Sequence, residues 1–232
     1  MRSTHMERGS AMPLGKTRDE IAEAYKSEPW WYDIRGFFIL CFAYNSTVGT
    51  QLRFFGRNMG KDHLEVACGT GTLLKMILKW RRRKRLPQAN VVGIDYAPSM
   101  LAGAEKRFAN DLDVRVEHAD AAELPYADNS FDTANIANSI HCFPTVDNAL
   151  RDIRRVLKPG GTLAANVLLF PRGVYPFNRF AAQINSWGMK KGILYSPFKL
   201  EEIQQTFKDA GYGIQSEFLS GNTWNVVAIK HR

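Results

Sequence analysis

The sequence predicts an α/β fold with a central parallel sheet, and three observations carry that expectation. A short apolar strand at 62–66 runs into a glycine turn through Gly69 and Gly71, and Leu73, Leu74, Met76, Ile77, Leu78 and Trp80 then follow with helical spacing. A second stretch, Asn90 to Asp95, is continuously apolar between its polar ends, as a strand covered on both faces of a parallel sheet would be. Beyond it, helical and strand-like stretches keep alternating to the end of the chain.

The strand and glycine turn at 62–72 form a nucleotide-cradle unit. Glycines let the backbone approach a ligand closely, and the free N–H groups of the new helix face that ligand. A pyrophosphate-binding loop would have a third glycine three residues after the second, where this chain has Leu74. Glu65 at the strand's end adds a negative charge, which suits an ammonium or sulfonium group better than a phosphate.

These residues resemble the first motif of the class I S-adenosylmethionine (SAM) methyltransferases, an acidic residue followed by x-G-x-G-x-G. Glu65, Gly69 and Gly71 match it, and Ala67 stands where the first glycine is usual. The resemblance implies SAM as cofactor and S-adenosylhomocysteine as product. It also implies a Rossmann-like three-layer sandwich over residues 60–232, with a seven-stranded, mostly parallel sheet whose last strand is antiparallel.

The rest of the chain follows in order. Residues 1–12 carry repeated methionines and no apolar period, and read as a vector-derived leader. Residues 13–59 are unusually aromatic, with Tyr25, Trp30, Trp31 and Tyr32 among them, and predict short helices; by the resemblance they form an N-terminal helical lid. Tyr25, Trp30 and Tyr32 are its candidate substrate contacts. Asp95 comes 24 positions after Gly71, near the ~20 expected of a carboxylate that accepts both ribose hydroxyls. Pro98 opens a helix with Met100, Leu101, Ala104 and Phe108 on one flank, which places Tyr96 and Met100 beside the ribose and adenine.

Leu112, Val114 and Val116 alternate with charged residues as a third strand leading to His118. By the resemblance, Asp120 and Ala121 after it receive the adenine amino group. Leu124-Pro125, then Ser130-Phe131-Asp132, is a further signature of the same enzymes, and Thr133 to Asn138 is the fourth strand. Its exit, Asn138, Ser139, Ile140, His141, Cys142 and Phe143, should face the methyl group, because open parallel sheets bind ligands beyond the carboxyl ends of their strands. His141 stands there as a candidate base or substrate-orienting group. Val146, Leu150, Ile153 and Leu157 predict a helix stopped by Lys158-Pro159-Gly160-Gly161, and Thr162 to Phe170 a fifth strand. An insertion at 171–198, with a helix near 177–187 and Tyr195 in the pocket wall, precedes a helix at 200–210 and a closing antiparallel pair.

Composition bounds the function. No run approaches the ~18 apolar residues of a membrane span, which predicts a soluble protein. The three cysteines form no Cys-x-x-Cys pair and fit small buried hydrophobes in a reducing cytoplasm; no metal is expected. The net charge of +8 is concentrated in 79–85, a basic run read as a solvated helix end or a surface for phosphate groups. The resulting expectation is in-line transfer of a methyl group from SAM to a small, largely apolar, ring-bearing or natural-product acceptor. Alternatives are a phospholipid N-methyltransferase with peripheral membrane contact, a nucleic-acid methyltransferase, a non-catalytic SAM-binding protein and an NAD-dependent oxidoreductase. Nucleic acid is disfavoured because Asn138 lacks the Pro-Pro-aromatic continuation of amino-group modifiers.

Overall fold

The computed structural model describes residues 47–171 and 197–231, with single helical positions at 179, 182, 183 and 186. Helix α1 (Val48–Arg57) precedes strand β1 (Asp62–Val66), α2 (Thr72–Arg83), β2 (Asn90–Asp95), α3 (Pro98–Phe108), β3 (Val114–His118) and β4 (Phe131–Ile136). A single 3-10 turn (Ile140–Cys142) then leads to α4 (Val146–Val156), β5 (Leu157–Leu168), α5 (Leu200–Asp209), β6 (Tyr212–Ser220) and β7 (Thr223–Lys230).

The seven strands form one sheet in the order β3-β2-β1-β4-β5-β7-β6. Pairs among β1 to β5 are parallel, and β7 lies antiparallel to both β5 and β6. The expected mostly parallel sheet with an antiparallel last strand is therefore present. Alternate residues along each strand serve two cores. Leu64, Val66, Ala134, Ile136, Leu163, Trp224 and Val226 meet Leu150 and Ile153 of α4 and Ile203 and Phe207 of α5. On the opposite face, Val91, Val114, Ala164 and Val227 meet Phe55 of α1, Leu74 and Ile77 of α2, and Ala104 and Phe108 of α3. Three layers follow from this two-sided burial.

Several boundaries moved. The fifth strand begins at Leu157 rather than Thr162, because Phe131 pairs with Leu157 and the register resumes, after an irregularity, at Thr133 opposite Thr162. Leu112, expected inside the third strand, is 99% exposed, since β3 starts only at Val114. Of the N-terminal lid, residues 13–46 lie outside the described residues. The remaining piece, α1, belongs to the sandwich: Phe55 is fully buried, and Gly56 lies so close to Trp80 that a Cβ there would stand 2.6 Å from its ring. The insertion helix near 177–187 also falls outside the described residues, apart from its isolated helical positions.

The basic run needs a correction at Arg81, which is buried. Its guanidinium donates to the Gly56 carbonyl of α1 and, at 2.6 Å, to the Pro87 carbonyl beyond α2. Arg81 thus clamps α1, α2 and the loop to β2, while Lys79 and residues 82–85 are exposed. A second clamp is Arg155, which donates to the carbonyls of Leu124 (2.9 Å) and Tyr126 (2.7 Å) and pairs with Asp128 and Asp152. That explains the turn-rich segment before β4: an arginine on α4 holds it in place.

Replacing Arg81 with Met keeps the stem but leaves two acceptors unpaired, one of them deep in the α1–α2 contact. A loss of about 2–4 kcal/mol is expected, read as a lowered midpoint in urea unfolding.

Candidate active site

The cavity of interest lies beyond the carboxyl ends of β1 to β4, at the point where the strand order reverses between β1 and β4. Ala67 closes one side. Ile94, Asp95, Tyr96, Ala97 and Met100 come from the β2–α3 turn, and residues 119–122 from the end of β3. Asn138, Ser139, Cys142, Phe143, Pro144 and Thr145 follow β4, with Ala149 from α4.

Asp95 organises the loop beneath. Its Oδ2 accepts from the Gly69 N–H at 2.7 Å and its Oδ1 from the Ala97 N–H at 2.9 Å. Burial pushes its carboxyl pKa up, and the backbone N–H groups with nearby His118 oppose that rise. Each oxygen keeps lone-pair capacity for a further donor, so a diol remains a suitable partner. Gly71, at φ +74°, caps α2; a Cβ there would stand 2.4 Å from the Phe108 ring, so glycine is required by both conformation and space. Ala67 holds φ +54° without being a glycine.

The polar ends of the other strands are equally constrained. Asp120 accepts from the Ala122 N–H at 2.9 Å, which turns the chain after β3. Tyr96 stacks at 5.2 Å on His118, whose Nε2 lies 3.0 Å from the Tyr96 carbonyl. Asn138 also sits at a positive φ, +57°, between Gln51 of α1 and Asn166 of β5. Next to it, the Ser139 hydroxyl is buried on the cavity wall and has no hydrogen-bond partner among the described residues. A buried hydroxyl without a partner is costly, and a ligand in the cavity would satisfy it.

Of the sequence-predicted cofactor residues, Ala67, Asp95, Tyr96, Met100, Asp120, Ala121 and Asn138 come together on the cavity wall. Gly69 and Gly71 form the loop beneath, tied to it through Asp95. Glu65 does not line the cavity. It is buried on the α1–α3 side of the sheet, within 3.2 Å of both His63 Nε2 and the Asn135 amide nitrogen. His63 Nδ1 in turn meets the Thr133 hydroxyl at 2.7 Å. Tyr25, Trp30, Tyr32 and Tyr195 lie outside the described residues. His141 is 7% exposed on the 3-10 turn, off the cavity wall, and burial lowers its pKa to about 4. Its imidazole is therefore neutral at physiological pH.

Ser139, Cys142 and Phe143, expected at the exit of the fourth strand, line the cavity, whereas sequence reasoning missed Gln51, Asn166, Pro144 and Thr145. Pro144 and Thr145 had an available signal, their position directly after the exit stretch. Gln51 and Asn166 reach Asn138 from 87 and 28 positions away, which no local pattern encodes. The described cysteines are both reduced: Cys142 lines the cavity, and burial raises the Cys68 thiol pKa. Among the described residues no helix is long and apolar enough to cross a membrane, and no His, Cys, Asp and Glu group could hold a metal.

Two properties of the cavity's surroundings are measurable without a ligand. Ala67→Gly relieves the ~1–2 kcal/mol that a Cβ costs in the left-handed region, against ~0.5–1 kcal/mol of extra unfolded-chain entropy. A net stabilisation up to about 1 kcal/mol should appear as a raised Tm. His141 has a folded pKa below its unfolded value of about 6.5, so the stability tied to its neutral form is complete above pH 6.5 and is lost as pH falls toward 4. His141→Gln should therefore flatten the fall in stability between pH 6.5 and 4, by up to about 3 kcal/mol, in urea titrations at stepped pH.

Comparison with known proteins agrees with this geometry. Residues 64–165 match the methyltransferase domain family. The chain is 44% identical over 112 residues to the demethylmenaquinone methyltransferase of Thermus thermophilus, covering 48% of each chain. It is 36% identical over 110 residues to the Staphylococcus aureus protein of the same name, covering 47% of this chain and 44% of that one. The matches thus span about half the length of these relatives. Among solved structures, a SAM-dependent methyltransferase from Aquifex aeolicus superposes with TM-score 0.60 at 18% identity, over 93% of this chain and 99% of that one. Haemonchus contortus phosphoethanolamine N-methyltransferase 2, in complex with phosphomonomethylethanolamine and S-adenosylhomocysteine, gives 0.67 at 17% identity, over 95% of this chain and 62% of that one. The match to the methyltransferase domain family over residues 64–165 thus spans the glycine loop, the acidic strand tips and the central strands that wall the cavity, and the sheet order is that of a Rossmann-like fold shared with these solved structures.

Proposed function

We propose that the protein transfers the methyl group of SAM to a small, largely apolar, ring-bearing acceptor. The observation that carries the reading is the convergence of Asp95, Asp120, Asn138 and the unpartnered Ser139 hydroxyl on one cavity above a glycine loop. Asp95 would accept the ribose hydroxyls with its remaining lone pairs, Asp120 and Ala121 would meet the adenine, and Tyr96 and Met100 would flank both. Asn138 and Ser139 would form the floor at the methionine end. The chemistry that bound SAM supplies is an electrophilic methyl on a sulfonium with a good thioether leaving group. The protein's part is then to align the acceptor and keep water out.

The wall supports the choice of acceptor. Cys142, Phe143, Pro144 and Ala149 give the cavity an apolar side, and the relatives in the comparison are demethylmenaquinone methyltransferases. Glu65, one layer from the wall, would act on the methionine end through its neighbours Val66 and Ala67 rather than by direct contact. His141 would pack and orient the 3-10 turn; a pKa near 4 makes it a weak proton acceptor. The exposed cations at 82–85 end α2, which starts at the cavity and runs back along the sheet. They therefore sit at the opposite end from the cofactor loop, which argues against a nucleic-acid or lipid headgroup substrate held by that run.

Calorimetric titration with S-adenosylhomocysteine, with NADH run in parallel, tests the cofactor. One-site binding of the former alone is expected, and Asp95→Ala should weaken it by on the order of 10–100-fold through loss of charge-assisted hydrogen bonds. Labelled methyl transfer to a reduced quinone lacking its ring methyl then tests the acceptor. Binding of NADH alone overturns the cofactor reading; tight S-adenosylhomocysteine binding with no transfer to any apolar ring compound overturns the acceptor reading and favours a binding protein.

A further inference from the structure

We propose that Gln51, with Asn166, is a positioning residue for the cofactor site, and that α1 sets the shape of the cavity floor through it. The inference rests on the SAM reading above and adds to it a residue far from any cofactor motif. Gln51 is 1% exposed and stands on the side of α1 that faces the sheet. Its amide pairs with that of Asn138 in both directions: Gln51 Nε2 donates to Asn138 Oδ1 at 2.8 Å, and Asn138 Nδ2 donates to Gln51 Oε1 at 2.9 Å. Asn166, fully buried on β5, completes the arrangement. Its Nδ2 donates to the same Asn138 Oδ1, and its Oδ1 accepts the Asn138 backbone N–H, both at 2.6 Å.

Asn138 needs this support. It lines the cavity at φ +57°, a conformation that is unfavourable for a side-chain-bearing residue unless its surroundings hold it there. Gln51 and Asn166 make four hydrogen bonds with it, and together they fix the peptide that carries Ser139. The direction of the Ser139 hydroxyl and of the backbone at the floor is then set by Gln51 and Asn166 rather than by β4 alone. Gln51 is itself held by the rest of α1, which Arg81 clamps at Gly56 and the core grips at Phe55. A helix that precedes the SAM-binding strands thereby contributes to the floor of the site without touching the ligand.

The inference has a test that separates positioning from plain stability. Gln51→Glu preserves shape and makes the donor titratable. Protonated, the carboxyl can still donate to Asn138 Oδ1 and accept from Nδ2, as the amide does; ionised, it has no donor and sets one carboxylate oxygen against Asn138 Oδ1. Burial raises the pKa of such a carboxyl, so both forms are accessible between pH 5 and 8. S-Adenosylhomocysteine affinity is measured for wild type and variant at each pH, and the ligand-free Tm is recorded in parallel. The ratio of variant to wild-type affinity should approach one near pH 5 and fall to roughly one tenth at pH 8.

Asn166→Asp makes the other donor to Asn138 Oδ1 titratable in the same way and should show the same trend, so the test survives if one variant fails to fold. Affinity ratios that stay flat across pH, whether or not Tm falls, overturn the positioning role and leave Gln51 as structural packing. Failure of the wild type to bind S-adenosylhomocysteine is a separate result, which removes the cofactor reading itself and this inference with it.

Discussion

The glycine-loop end of this structure depends on one carboxylate, Asp95, accepting two backbone N–H groups from different segments. One bond holds the glycine loop after β1, and the other holds the turn into α3. Residues 67, 69 and 71 all have positive φ, so the loop has few constraints of its own and many accessible shapes. A buried acceptor at the tip of the adjacent strand selects one of them. The β1–β2 register, with Val66 opposite Ile94, places Asp95 beside the loop, so sheet pairing and ligand geometry are the same constraint.

A second consequence of the architecture is that the helix ahead of β1 is part of the fold. Trp80 against Gly56, Arg81 on the Gly56 carbonyl and Phe55 in the core fasten α1 to α2, and Gln51 extends that attachment to the exit of β4. Gln51, the buried polar side chain of α1, has both ends of its amide paired, as a buried polar group must. An apolar and amide-bonded brace of this kind transmits position from the edge of the domain to the floor of the site.

The buried set of His63, Glu65, Thr133 and Asn135 holds the strand-end acid of the glycine motif inside the sheet. Period-two alternation along β1 puts Glu65 on the face opposite to Leu64 and Val66, toward α2, and the parallel register sets it beside Asn135 on β4. Its carboxylate is then satisfied by neighbours within the sheet. The cavity wall comes from the β2, β3 and β4 exits with Ala67 after β1, and Glu65 lies outside it.

What the sequence determined by itself is what local periodicity and fixed spacing encode: the α/β alternation, the glycine turn, the acidic tip at Asp95, and the exit at Asn138. These features follow from backbone conformation and short-range pattern, and neighbouring residues suffice to specify them. Arg81 and Leu112 went the other way: a basic run reads as solvated and an alternating stretch reads as strand until the tertiary contacts are known. Only the tertiary structure decided that Arg81 is buried, that β5 begins at Leu157, that Glu65 stands off the wall, and that Gln51 and Asn166 hold Asn138. Each of these depends on partners brought together by sheet register and helix packing, and the chain between such partners carries no trace of the meeting.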